Sequence, residues 1–118
     1  MKQVHPVPES ERWESYRGEV FKLPFQLLND QAPLVRLLQS CSLRFDDSSA
    51  ARQYKQFEPQ GLSAVLVGSA TRLVLHTWPE LGVATLDVSA KAEFARALFL
   101  ECLAALREER VGCCASTG

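Results

Sequence analysis

The residues best suited to chemistry lie together in HTWPE, residues 76–80. His76, Trp78 and Glu80 alternate along a segment interrupted by Pro79, so on an extended backbone an imidazole, an indole and a carboxylate share one side. A flat aromatic beside a carboxylate can stack a nucleobase and accept hydrogen bonds from a ribose diol. The same residues also suit a core tryptophan followed by a solvated glutamate, and the pentad alone does not choose between the two. His5 is far from His76 in sequence, so no histidine cluster supports a zinc site. Cys113 and Cys114 are adjacent and on a strand would point to opposite faces, which argues against one shared metal. With Cys41 and Cys102 they read as small core thiols, and no metal is expected.

The flanking segments must position this stretch. GEVFKLPFQLL (residues 18–28) reads as a strand, at a sheet edge because Pro24 cannot donate to a ladder. Asp30 offers an N-cap and Pro33 suits a first turn. Leu34, Leu37, Leu38 and Cys41 then follow at helical spacing. DDSSA (46–50) reads as a turn or connecting loop, and RQYKQF (52–57) as a half-buried strand ended by EPQG. LSAVLVGSATRLVLHTW (62–78) predicts two strands, or one strand bent at Gly68. PELG turns the chain into VATLDVSA, another strand.

In KAEFARALFLECLAALREER (91–110), Phe94, Leu98, Cys102, Ala105 and Leu106 form a helical stripe widened by Phe99 and Leu103, with Ser89 as a cap. RVGCCAS (110–116) suggests a short closing strand. Residues 1–17 are polar, carry Pro6 and Pro8, and read as an arm, leaving residues 18–118 as the single domain. This order predicts an α+β fold: a two-layer sandwich of a mainly antiparallel sheet with two helices packed on one face.

Composition narrows the function classes. At 118 residues, with 47% hydrophobic and 23% charged residues, the chain is an ordinary globular domain. A net charge of −1 gives no reason to expect nucleic acid or an anionic membrane as partner. No apolar run is long enough to span a bilayer, and the first residues lack the apolar stretch of a signal peptide, so a cytoplasmic location is expected.

FEPQGLSAV (57–65) before the pentad and GVATLDV (82–88) after it complete a pattern. Together they resemble the bacterial and archaeal S-adenosylmethionine decarboxylases, small pyruvoyl enzymes with a Phe-x-Pro-x-Gly-x-Ser segment followed by His-Thr-Trp-Pro-Glu. The resemblance runs without gaps over residues 57–88 and more loosely through the C-terminal helix. It implies that Phe57, Trp78 and Glu80 bind a nucleoside, the aromatics near adenine and the carboxylate on the ribose. It implies that Ser63 and His76 assist self-processing, and that the sandwich dimerises with its active site near the dimer contact.

In that family a serine hydroxyl attacks the preceding carbonyl to form an ester. β-Elimination then cuts the chain and leaves a pyruvoyl group, which forms a Schiff base with the substrate amine and takes up the electrons released with carbon dioxide. Aligned on HTWPE, the processing serine falls on Thr71, the preceding glutamate on Ala70, the following histidine on Arg72, and the proton-donor cysteine on Lys91. Threonine would end as a 2-oxobutyryl group, with an added methyl that crowds the attack. Loss of the general acid would slow turnover by about 10²–10⁴-fold. Ser69, two residues upstream, would give a pyruvoyl group if a bulge at Gly68 supplied the slip. A lysine at Lys91 also suits a solvated helix start, and Arg72 suits pairing with Glu80, Asp87 or an anion.

The expectation is a divergent, unprocessed homologue without a cofactor. It would bind an S-adenosylmethionine-like ligand, or pair as a homodimer or as a heterodimer with an active paralogue in polyamine (spermidine) synthesis. The competing expectations are an active 2-oxoacyl decarboxylase of S-adenosylmethionine or a basic amino acid, cut at Thr71 or Ser69, and an interaction module that has abandoned the pocket.

Overall fold

Strict alternation of buried and accessible side chains marks the central strands, as a sheet covered on one face requires. A computed structural model describes residues 12–46, 51–56 and 60–116. Its strands are β1 (Trp13–Val20), β2 (Ala51–Gln56), β3 (Leu62–Val67), β4 (Thr71–Trp78) and β5 (Val83–Lys91). They form one sheet in the order β1-β5-β4-β3-β2, with every neighbouring pair antiparallel. The helices are a single turn, α1 (Phe25–Leu28), then α2 (Gln31–Leu43) and the long α3 (Ala95–Ser116).

The core lies between this sheet and α2 and α3. Leu62, Leu66, Leu73, Leu75, Leu86 and Val88 point from the strands toward Leu34, Leu38, Leu98 and Leu106 on the helices, all essentially inaccessible. Each such side chain contributes about 1.5–3 kcal/mol relative to exposure. Asp30 caps α2, its carboxylate accepting from Ala32 N at 3.2 Å. α3 crosses β1 at Gly18, where a Cβ would stand 2.8 Å from Phe99 Cζ, and Phe99 stacks on Tyr16 at 5.6 Å. The α+β sandwich with its helices on one face is therefore as expected, with α1 as a small addition.

Four local expectations are corrected. The first strand begins at Trp13, within the segment read as an arm, because Tyr16, Gly18 and Val20 alternate onto α3; residues 1–11 lie outside the described residues. That strand does lie at an edge, but it stops at Val20, and Pro24 starts α1. Ser89 caps nothing: it sits within β5, hydrogen-bonded to Ser15 across the ladder at 2.7 Å, and Lys91 closes β5 rather than opening a helix. RVGCCAS forms no strand, since α3 runs on through Cys113 and Cys114 to Ser116.

Candidate functional site

The face of the sheet away from the helices carries the second set of alternating side chains. Strand register sets Glu19, Thr85, His76, Ser63 and Lys55 in one row across all five strands. Within that row Ser63 Oγ and His76 Nδ1 are 2.6 Å apart, a short hydrogen bond between directly opposed residues. Two residues on, Trp78 stands on the same face, 39% exposed, its ring 6.2 Å from the His76 ring at an interplanar angle of 51°.

The chain leaves β4 through a 3-10 turn, Pro79–Leu81, so Glu80 is not on the extended segment. Proline fixes the turn's start and Gly82, at φ +67°, ends it in the left-handed region. The turn brings the Glu80 carboxylate to Gln60, whose Nε2 donates to Oε2 at 2.8 Å. Gln60, Leu62, Ser63, His76, Thr77, Trp78 and Glu80 line a cavity of about 410 Å³, within the range of small-molecule sites.

The wall of this cavity is fixed from beneath. Thr77 Oγ1 donates to Leu28 O at 2.7 Å and accepts from Leu62 N at 2.9 Å, tying α1, β3 and β4 together. Gly61 N donates to Asn29 Oδ1 at 2.8 Å. At φ +100°, with Thr77 O 3.1 Å from where a Cβ would sit, position 61 requires glycine. A preorganised pocket with one aromatic wall, a carboxylate and an imidazole–hydroxyl pair can stack a flat ring and accept from vicinal hydroxyls.

Thr71 is elsewhere. It opens β4 on the helix face, 1% exposed, and donates from Oγ1 to Asp46 Oδ2 at 3.1 Å, with Ser42 Oγ at 3.4 Å. An odd separation of five residues along one strand puts Thr71 and His76 on opposite sides of the sheet. Ser69 lies in the β3–β4 turn, and its hydroxyl also reaches Asp46, at 3.4 Å. Lys91 ends β5 on the open face opposite Trp13, and its backbone N donates to Ala70 O at 3.0 Å. Arg72 is exposed on the open face, while Asp87 pairs with Arg17 at 3.0 Å. Phe57 lies outside the described residues. The structure thus unites Ser63, His76, Trp78 and Glu80, and separates them from Thr71, Ser69 and Lys91.

A pyruvoyl-type group, by the alignment on HTWPE, would arise at Thr71. That threonine is buried on the far side of the sheet from the Ser63–His76 pair. Among the described residues, no three His, Cys, Asp or Glu side chains cluster so as to hold a metal ion, and no helix is long and apolar enough to cross a membrane.

Sequence reasoning missed Gln60, Ser42 and Asp46. Gln60 sits in a segment read only as a strand breaker, and Asp46 in one read only as a turn. The available signal for Asp46 was its place just beyond a helix whose apolar face is buried.

Comparison with known proteins follows the same lines. The sequence model described as S-adenosylmethionine decarboxylase matches residues 14–112. S-adenosylmethionine decarboxylase proenzymes of Syntrophomonas wolfei and Moorella thermoacetica are each 37% identical over 71 residues, 60% of this chain. The match spans 56% and 57% of those two relatives, little more than half their length. The crystal structure of the adenosylmethionine decarboxylase from Aquifex aeolicus superposes with a TM-score of 0.68 at 21% identity, covering 79% of this chain and 78% of that one. That likeness shows the fold.

Proposed function

The chain belongs to the S-adenosylmethionine decarboxylase family, and from that premise we propose that it is a homologue that does not process itself. It binds a nucleoside-type metabolite such as S-adenosylmethionine in the Trp78–Glu80 pocket, and it acts in polyamine synthesis by pairing through its open sheet face with a second copy or an active paralogue.

One observation carries this reading. The ligand-type residues converge on one pocket, while the processing position holds a threonine whose buried hydroxyl is tied to Asp46. In the pocket, Trp78 stacks the base, Glu80 accepts from the ribose with Gln60 orienting it, and the Ser63–His76 pair closes the floor. A chain that stays whole carries no 2-oxoacyl group, so this protein's contribution is recognition rather than decarboxylation.

A second reading, an active 2-oxoacyl decarboxylase of S-adenosylmethionine or a basic amino acid, has one observation in its favour. The Asp46 carboxylate, 3.1 Å from Thr71 Oγ1, is placed to accept its proton.

Intact mass under denaturing conditions separates the two. The expected result is one species at 13.1 kDa, not two fragments divided before Thr71 or Ser69. The intact protein is then melted with S-adenosylmethionine. Ligand at about 100-fold over its Kd stabilises by about 2.7 kcal/mol, a rise of several degrees. Trp78→Ala and Glu80→Ala should each abolish the rise while leaving the unliganded melt within a few degrees of wild type. A cut chain, or a rise that survives both substitutions, contradicts the proposal.

A further inference from the structure

A hairpin closed by two central residues favours turns with positive φ, because only those match the twist of the flanking strands. The β3–β4 hairpin does not use one. Gly68 N donates to Thr71 O at 2.9 Å around Ser69 and Ala70, and neither of these has a positive φ. This turn is also held from outside. Asp46, just past the end of α2 and 8% exposed, receives Ala70 N at 2.9 Å and Thr71 Oγ1 at 3.1 Å on one carboxylate oxygen, and Ser69 Oγ at 3.4 Å on the other. From the opposite side Lys91 N holds Ala70 O at 3.0 Å.

We infer that Asp46 is a clamp, whose carboxylate fastens α2 to the β3–β4 turn and makes residues 69–71 a permanent part of the core rather than a site of chain cleavage. The inference rests on the proposed absence of self-processing and gives it a physical cause. Cleavage by the family's route begins with transfer of the Ala70 acyl group from Thr71 N to Thr71 Oγ1, the hydroxyl proton passing to the freed amine. That shift needs a free hydroxyl rotamer and a deformable peptide. Here the Thr71 rotamer is held by its bond to Asp46 and by its own methyl group. The Ala70–Thr71 peptide is held by Lys91 N at Ala70 O, and the peptides on either side of it by Asp46 at Ala70 N and by Gly68 N at Thr71 O. Thr71 is also 1% exposed, which denies water to later steps.

The test uses full-length wild type, Asp46→Ala, Thr71→Ser and the double variant. Two quantities are read: backbone hydrogen exchange in the peptide holding residues 69–71, and intact mass after incubation with hydroxylamine, which cleaves any ester formed. Hydrogen bonds to a charged carboxylate predict exchange about ten- to a hundred-fold faster in Asp46→Ala, with the peptide holding residues 76–82 unchanged. Thr71→Ser alone should stay whole, because the clamp remains. If Asp46→Ala fails to fold, Asp46→Asn, which keeps an acceptor but loses the charge, should show a smaller acceleration of the same peptide.

Wild-type exchange at the turn in the Asp46 variants would overturn the clamp. So would cleavage of Thr71→Ser that disappears in the double variant, since Asp46 would then be the base of a processing reaction. Cleavage of the wild type itself is the separate failure, that of the unprocessed reading.

Discussion

Cys41 on α2 and Cys102 on α3 meet inside the helix layer, their thiols hydrogen-bonded to each other. That bond lowers the Cys41 pKa, because Cys102 donates to the Cys41 thiolate, and it raises the Cys102 pKa, with burial adding to the rise. Cys41 also lines a groove between α2 and α3, whereas Cys102 is fully buried. Native protein treated with iodoacetamide should therefore be modified at Cys41 before Cys102. The rate should rise with pH toward a midpoint below the ordinary thiol range, with Cys102 modified only after unfolding. Peptide mapping across a pH series checks this, and equal labelling of the two would contradict the assignment. The same scale shows what single residues disclosed in advance. The grouping of His76 with Trp78 and of Ser63 with His76 was legible, because period-two alternation and the family pattern agree. The burial of Asp46 was not, because a carboxylate just beyond a helix is usually solvated and only the packed turn shows what it receives.

Elements show where local signals compete with packing. Gly82 ends the 3-10 turn at φ +67°, and a Cβ there would lie 3.2 Å from Leu23 O, in the segment that donates Leu23 N to Gly82 O at 3.0 Å. Gly82→Ala should cost about 1–2 kcal/mol for the left-handed backbone alone. The loss is measured by urea unfolding against wild type, and an unchanged midpoint would show that the turn relaxes freely. Gly82 was legible as a turn residue in PELG, as were β3, β4 and β5 from their runs of Val and Leu. β1 was misread because its polar half, Trp13 to Arg17, lacks apolar alternation; its partner is the long β5, pairing from Trp13–Lys91 to Val20–Ala84. Tertiary pairing overrides weak strand propensity there. At the other end, Cys113 and Cys114 carry no helix-stop signal strong enough to end a helix already nucleated over the preceding turns, so α3 continues.

At the scale of the whole molecule the sheet is asymmetric. Among the described elements, helices pack on one face only, and the other presents Val65 and Val74 side by side at its centre. Charged groups surround that centre, with Arg17 paired to Asp87 and Arg72 in the next row. Trp13, Val67 and Trp78 add exposed apolar surface. A small apolar centre within a polar rim is the anatomy of a protein interface, and a stable one buries about 800 Å² on each partner. The proposed pairing of two sheets would cover this centre and place the Trp78–Glu80 pocket of each copy at the edge of the contact. Val74→Glu sets a charge at the middle of the central strand, where a pairing copy would have to desolvate it. The side chain is half-exposed in the single chain, so the fold should survive and far-UV circular dichroism should not change. Light scattering during size-exclusion chromatography should then show dimeric wild type and a monomeric variant. A wild type that stays monomeric at micromolar concentration would remove self-pairing and leave only a different chain as the partner for this face.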